Sequence, residues 1–177
     1  GTVGYEHIGY NVGGIVGRNE SEGTIDHSTA RAIVTGKSST GGIAGYNLGA
    51  ITGCTNVGSI NTEYQEASLD TDGFTAKMVD QINNKMAAAD DDATNSVTNV
   101  ATDTGGIAGR SSGMILTSVN TGTVGYEHIG YNVGGIVGRT DGLVSGCVNQ
   151  GHVLGRKDVG GIAGQAEPYR ELDLSKD

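Results

Sequence analysis

Apolar residues in this chain come singly or in pairs, as Ile, Val or Ala, set among Gly, Asn and Thr. Five times the pattern tightens into one phrase: Gly13-Gly14-Ile15-Val16-Gly17, then Gly41-Gly42-Ile43-Ala44-Gly45 and Gly105-Gly106-Ile107-Ala108-Gly109. It closes with Gly134-Gly135-Ile136-Val137-Gly138 and Gly160-Gly161-Ile162-Ala163-Gly164. The starts, at 13, 41, 105, 134 and 160, lie 28, 64, 29 and 26 residues apart. Other columns keep the same register. Ten residues after each start stand Ile51, Ile115 and Val144; thirteen after, Cys54, Ser118 and Cys147; fifteen after, Asn56, Asn120 and Asn149; nineteen after, Ile60, Val124 and Val153. With two extra residues near Glu20 and Ser21, the first repeat supplies Ile25, Ser28, Ala30 and Val34 to those columns. Short β-branched segments punctuated by Gly and Asn predict strands and turns. Their recurrence predicts a stacked array.

One repeat cannot fold alone. It offers about four apolar columns, each contributing roughly 1.5–3 kcal/mol on full burial, whereas ordering its backbone costs about 1–2 kcal/mol per residue. Stacking at a strand spacing of about 4.8 Å sets like over like and completes the hydrogen-bond ladders. Stacked asparagines then bond from rung to rung. The expected fold is all-β: a parallel β-helix (β-solenoid) of roughly four to five rungs over residues 1–164, with about three short strands per rung. A tail or cap occupies 165–177. An antiparallel array of hairpins, such as a prism or sandwich, is the alternative. Columns ten and thirteen differ by an odd number, so both face inward only if the strand bends near Gly53 and Gly146.

A second repetition overlies the first, for residues 1–18 are identical to residues 122–139. Gly1-Thr2-Val3 therefore corresponds to the last strand of a repeat, and the sequence reads as a piece cut from a longer array. Open rung edges invite end-to-end self-association, unless a tail around Pro168, Tyr169 and Leu172 folds back over one of them.

Between Ile60 and Gly105 the spacing holds a large insertion, about residues 63–100. Phe74, Met78, Val79, Ile82 and Met86 share one helical face, Thr75 suits the amino-terminal cap, and Asp90-Asp91-Asp92 with Asn95 ends the pattern. A helix over about 75–89 is expected. It either covers the solenoid flank or, through Phe74, Met78, Ile82 and Met86, meets a partner.

Composition narrows the function. With 32 glycines, no Trp, one Phe and seven Tyr, no bulky aromatic core is available. A net charge of −9 lacks the basic stripe that nucleic acid requires, and no apolar run reaches the roughly 18–20 residues of a membrane span. Gly36-Lys37-Ser38 is no phosphate loop, because Arg31 stands where that motif needs Gly. Asp90–Asp92 lacks the spaced ligands and Gly turn of a calcium loop and reads as a solvated charge run. His7, His27, His128 and His152 have no metal-ligand spacing. Cys54 and Cys147 share a column with Ser28 and Ser118, so a small packed residue accounts for all four, and neither catalysis nor a cofactor is expected. Asn19-Glu20-Ser21 has the pattern of a glycosylation sequon.

Residues 41–60 resemble the GLUG motif, which runs Gly-Gly-Leu-Val-Gly-x-Asn, then Gly-x-Ile, Asn-Cys and Gly-x-Val. Residues 134–153 form a second copy, and 105–124 a third with Ser118 in place of Cys. Here Ile replaces the motif's Leu, and Gly precedes the Cys. The resemblance implies a large bacterial surface or secreted protein, adhesin-like or a protease stalk, and the motif carries no catalytic residue. The expectation is a non-enzymatic extracellular stalk, spacer or adhesive segment. Its partners would be neighbouring repeats of the same parent chain and a host or cell-surface protein or glycan. The alternative, a glycan-active β-helix lyase or hydrolase, needs carboxylates converging on one groove, and the acidic residues concentrate in the insert and tail instead.

Overall fold

The computed structural model describes residues 1–5, 8–63 and 101–167. They form a parallel β-solenoid of about four turns in which every strand pairs with the equivalent strand of the next turn. The first face stacks Tyr10–Gly13, Ser38–Gly41, Thr102–Gly105, Tyr131–Gly134 and Lys157–Gly160. The second stacks Val16–Asn19, Ala44–Asn47, Ala108–Ser111, Val137–Thr140 and Ala163–Ala166. Thr24–Asp26, Ala50–Thr52, Met114–Leu116 and Leu143–Ser145 make the third, and Thr29–Ala30, Thr55–Asn56, Val119–Asn120 and Val148–Asn149 the fourth. A narrow fifth face runs through Thr2–Val3, Ile33–Val34, Ile60, Val124–Gly125 and Val153–Leu154. The antiparallel alternative is excluded by these pairings.

The register is the one the columns gave. Ile25, Ile51, Ile115 and Val144 pair in series, as do Ala30, Asn56, Asn120 and Asn149. Val3 pairs with Val34 as the last strand of a preceding rung. The two extra residues of the first repeat fall in the turn between Asn19 and Thr24, closed by the Gly23 N–H on the Glu20 carbonyl at 2.8 Å. The expected three strands per rung is corrected to five. Third and fourth faces are separated by a bend at His27, Gly53, Thr117 and Gly146, all with positive φ (44, 60, 47 and 64°). That bend reverses the side-chain alternation, so Ile51 and Cys54 are both fully buried despite their odd separation.

Two apolar columns result. One packs Ile43, Ile107 and Ile136 with Ala44, Ala108, Val137, Ile51, Ile115 and Cys54; the other packs Val34, Ile60, Val124 and Val133. Between rungs the buried polar side chains bond to one another. Asn56 Nδ2 donates to Asn120 Oδ1, and Asn120 Nδ2 to Asn149 Oδ1, each at 2.8 Å. The same amides donate to the carbonyls of Gly58, Gly122 and Gly151. A second ladder runs Asn19 to Asn47 at 2.8 Å and Asn47 to Ser111 at 3.1 Å.

The glycine phrase is required by close approach. A Cβ on Gly42 or Gly106 would strike the carbonyl of the second Gly in the next rung, Gly106 or Gly135, and the neighbouring Asn56 or Asn120 amide. No positive φ is involved at these positions.

The insertion leaves the ladder intact. Ser38 pairs with Thr102 and Ile60 with Val124 directly across it, and Asn61 Nδ2 reaches Thr104 Oγ1 at 3.0 Å. The expected helix over about 75–89 lies outside the described residues.

Gly106→Ala should therefore lower stability by about 2 kcal/mol or more, the cost of overpacking a tight interior, whereas Gly161→Ala, whose Cβ would meet none of the described residues, should stay within about 0.5 kcal/mol of the parent. Urea unfolding midpoints of the two variants check this. Equal effects would contradict the close-approach account.

Candidate interaction surface

Residues that face inward are nearly constant from rung to rung, so variety lies on the outer surface. Five residues after each phrase begins, the outward position of the second face carries Arg18, Tyr46, Arg110, Arg139 and Gln165, paired in that order. Tyr46 is held between two guanidinium groups: Arg18 and Arg110 each place Cζ 5.2 Å from its ring centroid. Such contacts contribute roughly 0.5–1 kcal/mol at exposed sites. The Tyr46 hydroxyl shares a hydrogen bond with Ser112 Oγ at 3.2 Å. Arg18 pairs with Glu20 at 2.8 Å and Arg139 with Glu167 at 3.1 Å. In a chain of net charge −9, this is a local row of three arginines. Identity between repeats does not reveal this column, because its residues alternate in type. The legible signal is the residue directly after each Gly-Gly-Ile-x-Gly.

A second exposed group lies where the fifth face returns to the first. The duplicated segment places Tyr5, Ile8 and Tyr10 on one rung and Tyr126 three rungs further on, all exposed. The insertion leaves from this same corner, since Ile60 belongs to the fifth face and Thr102 to the first.

The sequence candidates fare as follows. Phe74, Met78, Ile82 and Met86, and likewise Asp90–Asp92 and His7, lie outside the described residues. His27, His128 and His152 are exposed and belong to different rungs, His27 Nδ1 lying 2.8 Å from Asp26 Oδ1. Among the described residues, no three His, Cys, Asp or Glu side chains gather to hold a metal ion. No described helix is long and apolar enough to cross a membrane. The Asn19 sequon is corrected: its side chain is only 7% exposed and is engaged with Asn47, so no glycan could be attached without breaking the ladder.

Cys54 and Cys147 are free thiols. They occupy one column with Ser118 between them, about 10 Å apart at the rung spacing and beyond the roughly 7 Å Cα reach of a disulfide. Cys54 Sγ lies 3.4 Å from the Thr52 carbonyl and Cys147 Sγ 3.5 Å from that of Ser145. Burial pushes both thiols above their ordinary range, and backbone hydrogen bonding at Ser28 and Thr52 for Cys54, and at Ser118 and Ser145 for Cys147, opposes this only in part. Cys54 belongs to the main core cluster and Cys147 packs against it.

The site and the fold together define a repeat solenoid whose interior is occupied by its own ladders. Residues 8–35, the first full rung, match the family model described as the GLUG motif, so the motif resemblance extends to the repeat that carries the two-residue expansion. Comparison with curated proteins and with solved structures found no match.

Thiol titration should count two cysteines in denaturant and few or none reacting promptly in the native protein, Cys54 the slower. Because folding raises both thiol pKa values, their stabilising contribution is complete below the unfolded pKa of about 8.5 and is lost as pH rises through the folded values. A Cys54→Ser variant should accordingly lose less stability than the parent between pH 8 and 10. An equal loss would argue against the burial effect.

Proposed function

We propose that this chain is a non-enzymatic structural repeat segment of a larger bacterial surface or secreted protein, serving as stalk, spacer or adhesive surface. The observation that carries the reading is the closed interior. The buried Asn56, Asn120 and Asn149 amides bond to one another and to the backbone, so rungs add in series and each lengthens the solenoid by about 4.8 Å. The bacterial and extracellular setting rests on the GLUG resemblance. The outer positions, above all the Arg18–Tyr46–Arg110–Arg139 row and the tyrosine-bearing corner, are where a host protein or glycan would be met. Phe74, Met78, Ile82 and Met86 of the insertion would be further contact residues for such a partner.

Antibody raised against the chain should label intact cells that make it, without permeabilisation. Labelling that appears only after lysis would overturn the extracellular reading. Release of new reducing ends from a panel of acidic and neutral polysaccharides would overturn the non-enzymatic one.

Replacing residues 65–100 with a short Gly-Ser bridge should leave a β-rich circular dichroism spectrum, because the rungs on either side already pair with each other. Loss of cell or glycan binding in that folded variant would place recognition in the insertion; retention would place it on the solenoid face. An unfolded product would contradict the continuity of the ladder.

A further inference from the structure

The outward row of the second face follows a rule with one exception. Where an arginine holds the outward position, an acid stands two residues on: Arg18-Asn19-Glu20 and Arg139-Thr140-Asp141. Residues two apart on a strand face the same side, so each such rung carries its own counter-ion. Arg18 meets Glu20 at 2.8 Å. The last rung keeps the acid, Glu167 after Gln165, and sets it 3.1 Å from Arg139. Arg110 breaks the rule, for the sequence there reads Arg110-Ser111-Ser112. Among the described residues, no carboxylate lies within ion-pair distance of its guanidinium.

The surroundings of Arg110 are nonetheless ordered. Tyr46 pairs with it in register from the preceding rung, with Arg110 Cζ 5.2 Å from the ring centroid. Stacking of this kind occupies the face of a guanidinium and leaves its N–H edges to bond. The Tyr46 hydroxyl shares a hydrogen bond with Ser112 Oγ at 3.2 Å, and the Ser112 N–H donates to the Asn47 carbonyl at 2.9 Å. One charged fork and two hydroxyls, each able to donate and accept, therefore meet at one point on two adjoining rungs. Further rungs lie on both sides, carrying Arg18 and Arg139. All three side chains are half-buried, so little freedom remains to be lost on binding. Arg110 also pairs in register with Arg139, and like charges so placed disfavour each other. An added anion relieves that arrangement.

We infer that Arg110, Tyr46 and Ser112 form a binding site for a carboxylate-bearing sugar. The carboxylate accepts from the Arg110 guanidinium, and adjacent sugar hydroxyls exchange hydrogen bonds with the Tyr46 hydroxyl and Ser112 Oγ. The flanking acids decide which kind of glycan fits. Glu20, Asp141 and Glu167 border the row, so a densely sulfated chain or a nucleic acid meets repulsion on either side of Arg110. A neutral glycan leaves the guanidinium unmatched. A single carboxylate on an otherwise uncharged glycan satisfies both conditions, its two oxygens matching the guanidinium fork. The inference rests on the reading of this face as an adhesive surface and names the class of ligand it takes.

The test titrates the 177-residue chain, followed by NMR. Two carboxylated probes, methyl glucuronide and sialyllactose, are compared with their uncharged counterparts, methyl glucoside and lactose, and with heparin. Saturable shifts around Arg110 should appear with the carboxylated sugars alone. Arg110→Gln should weaken binding about tenfold or more, the loss of a charge-assisted contact. Tyr46→Phe keeps the ring, removes the hydroxyl and should weaken it about threefold. Ser112→Asp supplies the acid that the other arginine rungs possess, and should abolish binding while the circular dichroism spectrum stays β-rich. Arg18→Gln, which alters an arginine already paired, should stay within about twofold of the parent. Equal shifts with the uncharged sugars, tighter binding of heparin, or no saturable shift with either carboxylated probe up to about 10 mM would overturn the assignment. So would an Arg110→Gln or Ser112→Asp variant that binds as the parent does. Surface labelling of cells without carboxylate binding would strike this site alone; binding without surface labelling would strike the extracellular reading and leave the site standing.

Discussion

Where the chain turns through Gly-Gly, the carbonyl of one rung occupies the space in which the side chain of the rung before it would lie. This contact sets the rest of the cross-section. Only glycine admits it, and once made it fixes how far each rung sits from the next and at what rotation. The Ile following the pair then falls over the Ile of the neighbouring rung. The asparagine beside the pair is pressed against the glycine and meets the next asparagine at hydrogen-bond distance. A solenoid this poor in aromatic residues has little apolar area per rung, so fixed backbone spacing and satisfied buried amides carry the specificity that a larger core would otherwise supply.

Interior and exterior are accordingly under different demands. Inside, a substitution must fit the residue above and the residue below, which is why Ser118 can stand between Cys54 and Cys147 and why Ala30 ends an asparagine ladder without a clash. Outside, only neighbouring charges and solvent constrain the choice. There the column after the glycine phrase runs Arg, Tyr, Arg, Arg, Gln, and the Tyr46 ring separates two guanidinium groups that would otherwise repel. The ladder is continuous across the point of insertion, with Ile60 paired to Val124 and Ser38 to Thr102.

The columns of Ile, Asn, Val and Cys were legible from the sequence alone because stacking in register turns three-dimensional neighbours into residues at fixed offsets. The residue pairings, the place of the two-residue expansion after Asn19 and the free cysteines all followed from that single fact. The second polar ladder was not legible, since its column passes from Asn19 and Asn47 to Ser111 and keeps no single residue type. Nor was the burial of Asn19, which makes its sequon inaccessible; a three-residue pattern says nothing about which way a side chain points.

What the sequence by itself determined is the order of the rungs and which residues lie over which, because repetition encodes register directly. Only the tertiary structure decided the five-sided cross-section. The bend between its third and fourth faces rests on left-handed backbone at His27 and Thr117 as well as at Gly53 and Gly146. Residues other than glycine adopt that conformation at a cost, and do so only where the packing on both sides of the turn holds them there. The outward arginine–tyrosine row was likewise settled by the tertiary structure, which stacks Arg18, Tyr46 and Arg110 on the second face and brings both guanidinium groups over the ring.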